Sequence, residues 1–167
     1  ARGGLCRDRA GQPGGDGAVR LYTDYFCPSC RDLESRLAPV IKDLVKRNAA
    51  QVMFVDAPGH KNSSLYARSF LYVLNEKKDL DRALTARAVL MEASGKGVAD
   101  QGKLESLLKE KGIALKPFDT GATFNVFVSY LKRDQIRETP TCVIENDGKL
   151  QKVLGSEDII EALKRLQ

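Results

Sequence analysis

Asp24-Tyr25-Phe26-Cys27-Pro28-Ser29-Cys30 places two cysteines three residues apart, where a strand pattern gives way to a helix pattern. Val19-Arg20-Leu21-Tyr22-Thr23 ahead of it reads as a strand. Leu33, Leu37, Val40, Ile41, Leu44 and Val45 behind it recur at helical spacing. Cys27 then falls at the N-cap and Pro28 at the first helical position, where a missing N–H costs nothing. The free N–H groups and the positive dipole end of a helix start favour a thiolate there. Such a sulfur suits thiol–disulfide exchange. Cys30, one turn on, can close a disulfide with Cys27 or resolve a mixed one.

The competing chemistry for such a pair is half a zinc site. Structural zinc normally takes about four ligands. The remaining candidates are the single histidine, His60, with Cys6 and Cys142, and neither cysteine belongs to a second closely spaced pair. The spacing therefore favours redox use and no metal. A chance pair of core cysteines would lie on the apolar face of the helix; this pair opens it. Far along the chain, Arg137-Glu138-Thr139-Pro140-Thr141-Cys142-Val143-Ile144 sets a proline directly before a β-rich run. A proline there is held to an edge, a first strand residue or a bulge, and an X-Pro bond at such a point can be cis.

With both segments in view, the chain resembles the thioredoxin-fold disulfide oxidoreductases, and most closely their DsbA-like branch. The branch's Asp-Tyr-x-Cys-Pro-x-Cys signature reads Asp24 to Cys30. Its aspartate-x-proline segment after a strand reads Val55-Asp56-Ala57-Pro58-Gly59-His60. Its Thr-Pro-Thr reads Thr139-Pro140-Thr141, and its glycine before the last helix reads Gly155. The resemblance spans about residues 18–166. It implies an α/β thioredoxin fold with a helical insertion and a thiol:disulfide oxidoreductase acting through Cys27 and Cys30, with Pro28, Ser29 and Asp24 in support. It implies a cis bond at Pro140 facing the pair, and a Thr139 backbone that pairs with an extended substrate. No cofactor is implied beyond the redox-active disulfide itself. The implied partners are unfolded or reduced protein substrates and a membrane or soluble redox partner, in the periplasm or another extracytoplasmic space. Two positions depart from the pattern. Ser29 replaces the histidine of the most oxidising members, so the disulfide is expected to be less oxidising. Cys142 stands where the branch more often has an aromatic or aliphatic residue.

The rest of the chain fits this frame. Residues 18–60 and 136–167 read as the thioredoxin-like core. Gln51 to Asp56 forms a second strand; Thr141 to Glu145 and Leu150 to Leu154 form a hairpin through Asn146-Asp147-Gly148-Lys149; Ser156 starts a last helix ending near Leu166. Residues 61–135 read as a helical insertion. Its helices are Ser64 to Leu74, Leu80 to Met91 with Leu84, Ala88, Val89 and Met91 apolar, a third marked by Leu104, Leu107 and Leu108, and Thr123 to Leu131 with Phe124, Phe127, Val128 and Leu131 on one face. Residues 1–17, rich in glycine, read as a flexible arm. That arm lacks the apolar run of an export signal, so a mature chain is expected.

The net charge of +5 admits nucleic-acid binding, but the basic residues alternate with acids, as at Glu34/Arg36 and Glu110/Lys111, with no aromatic-interleaved stripe. They read as solvated helix faces, and no nucleic-acid partner is expected. No dimerisation segment stands out, so a monomer is expected. His60 reads as a loop residue at a helix entry. Asp24 reads either as a proton relay to Cys30 or as a solvated strand end. Cys6 and Cys142 either pair, or leave Cys142 as a small buried hydrophobe. The alternatives to an oxidising enzyme are a disulfide reductase and a non-catalytic peptide- or metal-binding module. A module does not need the second, resolving thiol.

Overall fold

The computed structural model describes residues 17–166. The element order is β1 (Gly17–Thr23), α1 (Pro28–Lys46), β2 (Ala50–Asp56), α2 (Ser63–Glu76), α3 (Leu80–Gly95), α4 (Gln101–Glu110), α5 (Gly121–Arg133), β3 (Thr141–Asn146), β4 (Lys149–Leu154) and α6 (Ser156–Lys164). The strands form one sheet in the order β2-β1-β3-β4. β2 runs parallel to β1, as its crossover through α1 requires, and β3 and β4 are antiparallel. The expected mixed α/β arrangement, with a run of helices between β2 and β3, is what the chain adopts. The arm 1–17 and Cys6 lie outside the described residues, except Gly17, which begins β1.

Side chains alternate across β1 and sort the molecule into two packed faces. Val19 and Leu21 share a core with Phe54, Cys142 and the α1 residues Leu33, Leu37, Ile41 and Leu44. Tyr22, Val55 and Val143 point to the other side, where Phe127 of α5 and Leu71 of α2 cover them. Each fully buried leucine of α1 contributes roughly 1.5–3 kcal/mol. Arg20 also faces α5. Its guanidinium is bidentate to Asp134, just past the end of α5, and the Tyr22 hydroxyl donates to the same carboxylate. This buried clamp fixes the end of α5 against the sheet. The hairpin turn has Asp147 at φ +50° and Gly148 at φ +74°, the mirror-image geometry that matches strand twist.

Some elements differ from their sequence reading. Val45 is 38% exposed, because α1 buries a stripe that ends at Leu44. Pro39 lies inside α1 on its exposed side, where the Ser35 carbonyl it leaves unbonded can meet solvent. In α3, Ala88 is exposed and its neighbour Arg87 is fully buried. Glu34 is no solvated charge either: both its oxygens accept from Arg87, at 2.7 and 3.0 Å. The cation lies over the Phe54 ring at 4.2 Å, so a charged pair is accommodated in an apolar core.

Candidate active site

The helix start is built as its residue types dictate. Cys27 is the N-cap of α1 and Pro28 follows at the first helical position. The Cys27 N–H donates to the Asp24 carbonyl at 3.1 Å, which turns the chain out of β1. Cys27 Sγ accepts from the Cys30 N–H at 3.4 Å, so the sulfur takes a place usually filled by an oxygen cap. The two sulfurs are inequivalent. Cys27 is partly exposed, with Pro28 and Ser29 open to solvent beside it. Cys30 is 0% exposed, and burial pushes its thiol up to about 12.

The second segment meets the first here. Cys27 Sγ lies 3.5 Å from the Thr139 carbonyl oxygen. The Thr139–Pro140 peptide bond is cis. The Pro140 carbonyl accepts from the Gly155 N–H at 3.3 Å, and Thr141 Oγ1 donates to the Glu138 carbonyl at 2.7 Å. Gly155 sits at φ +83° with open space around its Cα, so backbone conformation alone demands glycine there. Ser156 Oγ donates to the Ser29 carbonyl at 3.3 Å, tying the start of α6 to the start of α1.

Asp24 is not a solvated strand end. It is buried, and its carboxylate accepts from the Phe26 and Gly59 N–H groups and from Ser63 Oγ, the last at 2.7 Å. It thereby pins the loop that follows β2 against the cysteine segment. His60, on that loop, stacks on Phe26 with ring centroids 4.2 Å apart and planes 9° apart. Its Nδ1 accepts from the Asn62 N–H at the entry to α2. Tyr25 is buried against Tyr66, with centroids 5.7 Å apart. Cys142 is fully buried in β3, and burial raises its thiol to about 12. It packs in the core on the α1 side, between its register partners Leu21 and Val153. Among the described residues no three His, Cys, Asp or Glu side chains gather as a metal site.

Sequence reasoning missed the buried charges behind the pair. Asp56 ends β2, and among the described residues neither of its carboxylate oxygens finds a hydrogen-bond partner; nor do Tyr25 Oη and Arg87 Nη1. Burial pushes the Asp56 carboxyl up to about 7, with Arg87 opposing and Asp24 and Glu34 adding to the rise. In the sequence Asp56 stands out as an aspartate that closes an apolar strand and opens the aspartate-x-proline segment, and neither feature marks it as a buried charge. A recess of about 550 Å³ opens beside Thr139, between the loop after β2 and the apolar side of α5.

The family profile described as thioredoxin matches residues 9–165. No curated protein sequence matches the chain. Among solved structures, the chain is similar to MdbA, a thiol-disulfide oxidoreductase from Corynebacterium diphtheriae, with a TM-score of 0.70, 20% identity, and coverage of 93% of this chain and 86% of that one. It is similar to a periplasmic thioredoxin-like protein from Salmonella enterica serovar Typhimurium, with a TM-score of 0.67, 21% identity, and coverage of 92% and 84%. It is also similar to DsbA2 of Pseudomonas aeruginosa, with a TM-score of 0.62, 16% identity, and coverage of 92% and 90%. These likenesses are of fold: a thioredoxin fold with helices inserted after the second strand.

Proposed function

The chain belongs to the thioredoxin family, and from that premise we propose that it is a thiol–disulfide oxidoreductase that oxidises extracytoplasmic protein substrates through Cys27 and Cys30. The observation that carries this reading is the inequivalence of the two sulfurs. Cys27 is the reachable one, at a helix N-terminus with an N–H aimed at it. Cys30 is out of reach, one turn inside.

In the oxidised form, a client thiolate attacks Cys27 Sγ. The Cys27–Cys30 bond breaks, a Cys27–client disulfide forms, and Cys30 leaves as a thiolate that takes up a proton. A second client thiolate then attacks the client sulfur and expels Cys27 as the thiolate. Two electrons pass from client to protein, and the client keeps the disulfide. The Thr139 backbone, next to Cys27, is the edge against which an extended client pairs. A separate redox partner reoxidises the pair. Support for an extracytoplasmic place comes from a fold neighbour described as periplasmic and from the compartments in which disulfides persist.

Trapping tests the assignment. Cys30→Ser cannot be oxidised at the pair, but its Cys27 thiolate should attack client disulfides and accumulate the mixed disulfides, because Cys30 is no longer there to expel the client from Cys27. Cys27→Ser should accumulate none. Trapping by the Cys27 variant instead would reverse the roles.

A further inference from the structure

We infer that the free edge of β4 is a self-association surface, on which a second copy of this chain pairs its own β4 antiparallel about Gln151. Such pairing needs no separate dimerisation segment, the feature on which the expectation of a monomer turned.

Three observations carry it. First, the edge is open. Among the described residues β4 has β3 as its one strand neighbour, and every β4 side chain but Val153 is exposed. The sheet face that α5 covers over Tyr22 and Val143 is bare at β4, where Leu150 and Leu154 are 61% and 46% exposed. Lysines on an edge strand usually guard it against pairing. Lys152 does not, because its Nζ is drawn back to the Gln135 carbonyl beyond α5, at 2.6 Å. Second, there is room. A trough of about 410 Å³ follows the edge, with residues 151–154 on one side and Asp158, Glu161 and Arg165 of α6 on the other. Third, the edge is complementary to itself. Residues directly opposite in an antiparallel pair share a face, so a two-fold axis must pass through a residue. With the axis at Gln151, the two Gln151 side chains meet. On one face, Leu150 lies opposite the aliphatic stem of Lys152 of the second copy and diagonal to its Leu154. On the other face, Lys149 of the second copy lies opposite Val153, where Asp158 and Glu161 wall the trough. An axis at Lys152 would instead set two like charges against each other. The two active-site ends stay apart. The C-terminal end of β4 adjoins Pro140 through the Gly155 N–H, and antiparallel pairing sends that end of each copy in opposite directions.

Sedimentation equilibrium of the full chain tests this, with dithiothreitol present so that no intermolecular disulfide contributes. An interface of one edge strand is small, so a monomer–dimer equilibrium is expected with a dissociation constant on the order of 10–100 μM. Hydrogen exchange at the β4 amides should slow as the concentration rises through that range. Leu150→Asp should leave the chain monomeric. Lys149→Glu should weaken the dimer about tenfold, and Lys149→Glu with Asp158→Lys should restore it, because the two charges trade places. Val126→Asp, at an exposed apolar position on α5, should leave the dimer unchanged. A chain that stays monomeric up to about 500 μM, well above the expected constant, would overturn the proposal. So would a dimer indifferent to Leu150→Asp, or a charge exchange that restores nothing. Protection of the β4 amides that does not vary with concentration would also overturn it, because the edge would then be covered from within the same chain.

Discussion

Ser29 is exposed, and its side chain brings no charge to the start of α1. Stabilising a reduced thiolate is what makes a disulfide oxidising. Ser29→His places a cationic imidazole next to the sulfur and should raise the potential by on the order of 20–40 mV, measured by equilibration with glutathione. An unchanged potential would mean that other surroundings of Cys27 set the poise. Asp56 makes a second prediction at this scale. Its carboxyl ionises near 7 in the folded chain, against an ordinary value of 3.8. The folded state therefore binds more protons between those values. The stability this gives is full below about 4 and is lost as pH rises through 7. Asn at this position does not titrate. Asp56→Asn should thus gain on the wild type by roughly 2–4 kcal/mol between pH 4 and pH 8 in urea unfolding, following the linkage relation. A constant gap across that range would contradict an Asp56 buried and ionising near neutrality.

At the scale of elements, α1 is joined to α3 by the Glu34–Arg87 pair, and the β1 residue Thr23 accepts from the same guanidinium at 3.0 Å. Burial works against the Arg87 cation, and Glu34, Tyr25 and Asp56 outweigh it, so its pKa is raised. Arg87→Met strands Glu34 in the core and should cost about 3–5 kcal/mol, whereas Glu34→Leu with Arg87→Met should recover most of that loss. Chemical denaturation of the two variants measures the difference; equal losses would show that the pair is not a coupled unit. This pair also marks the limit of what periodicity reveals. Leu33, Leu37, Ile41 and Leu44 announced the buried face of α1, yet Glu34 lies on that face too. A charge is admitted to a core by a partner on another element, here more than fifty positions away, and no local pattern encodes that meeting. Asp24 was legible as important but not in its role, because its donors Gly59 and Ser63 come from a distant loop. The helix start at Cys27-Pro28 was legible because capping is local.

For the whole molecule, the alternating strands, the positive-φ hairpin turn and the helical run between β2 and β3 were carried by short-range chemistry: side-chain period, glycine placement and capping. What required the folded chain was the assembly of distant segments at one end of the sheet. There β1 delivers Cys27, the loop before β3 delivers Thr139 and Pro140, and α5 supplies the apolar wall beside them. On the redox reading proposed above, this end of the molecule holds a working dithiol–disulfide couple. Equilibration of the full chain across glutathione buffers, read by gel shift with a thiol-specific label, tests it directly. One reversible two-electron transition is expected, confined to Cys27 and Cys30, at a potential between roughly −120 and −270 mV, the span from DsbA to thioredoxin. Thiols that stay fully reduced or fully oxidised across that span, or a transition that persists in Cys27→Ser, would contradict it.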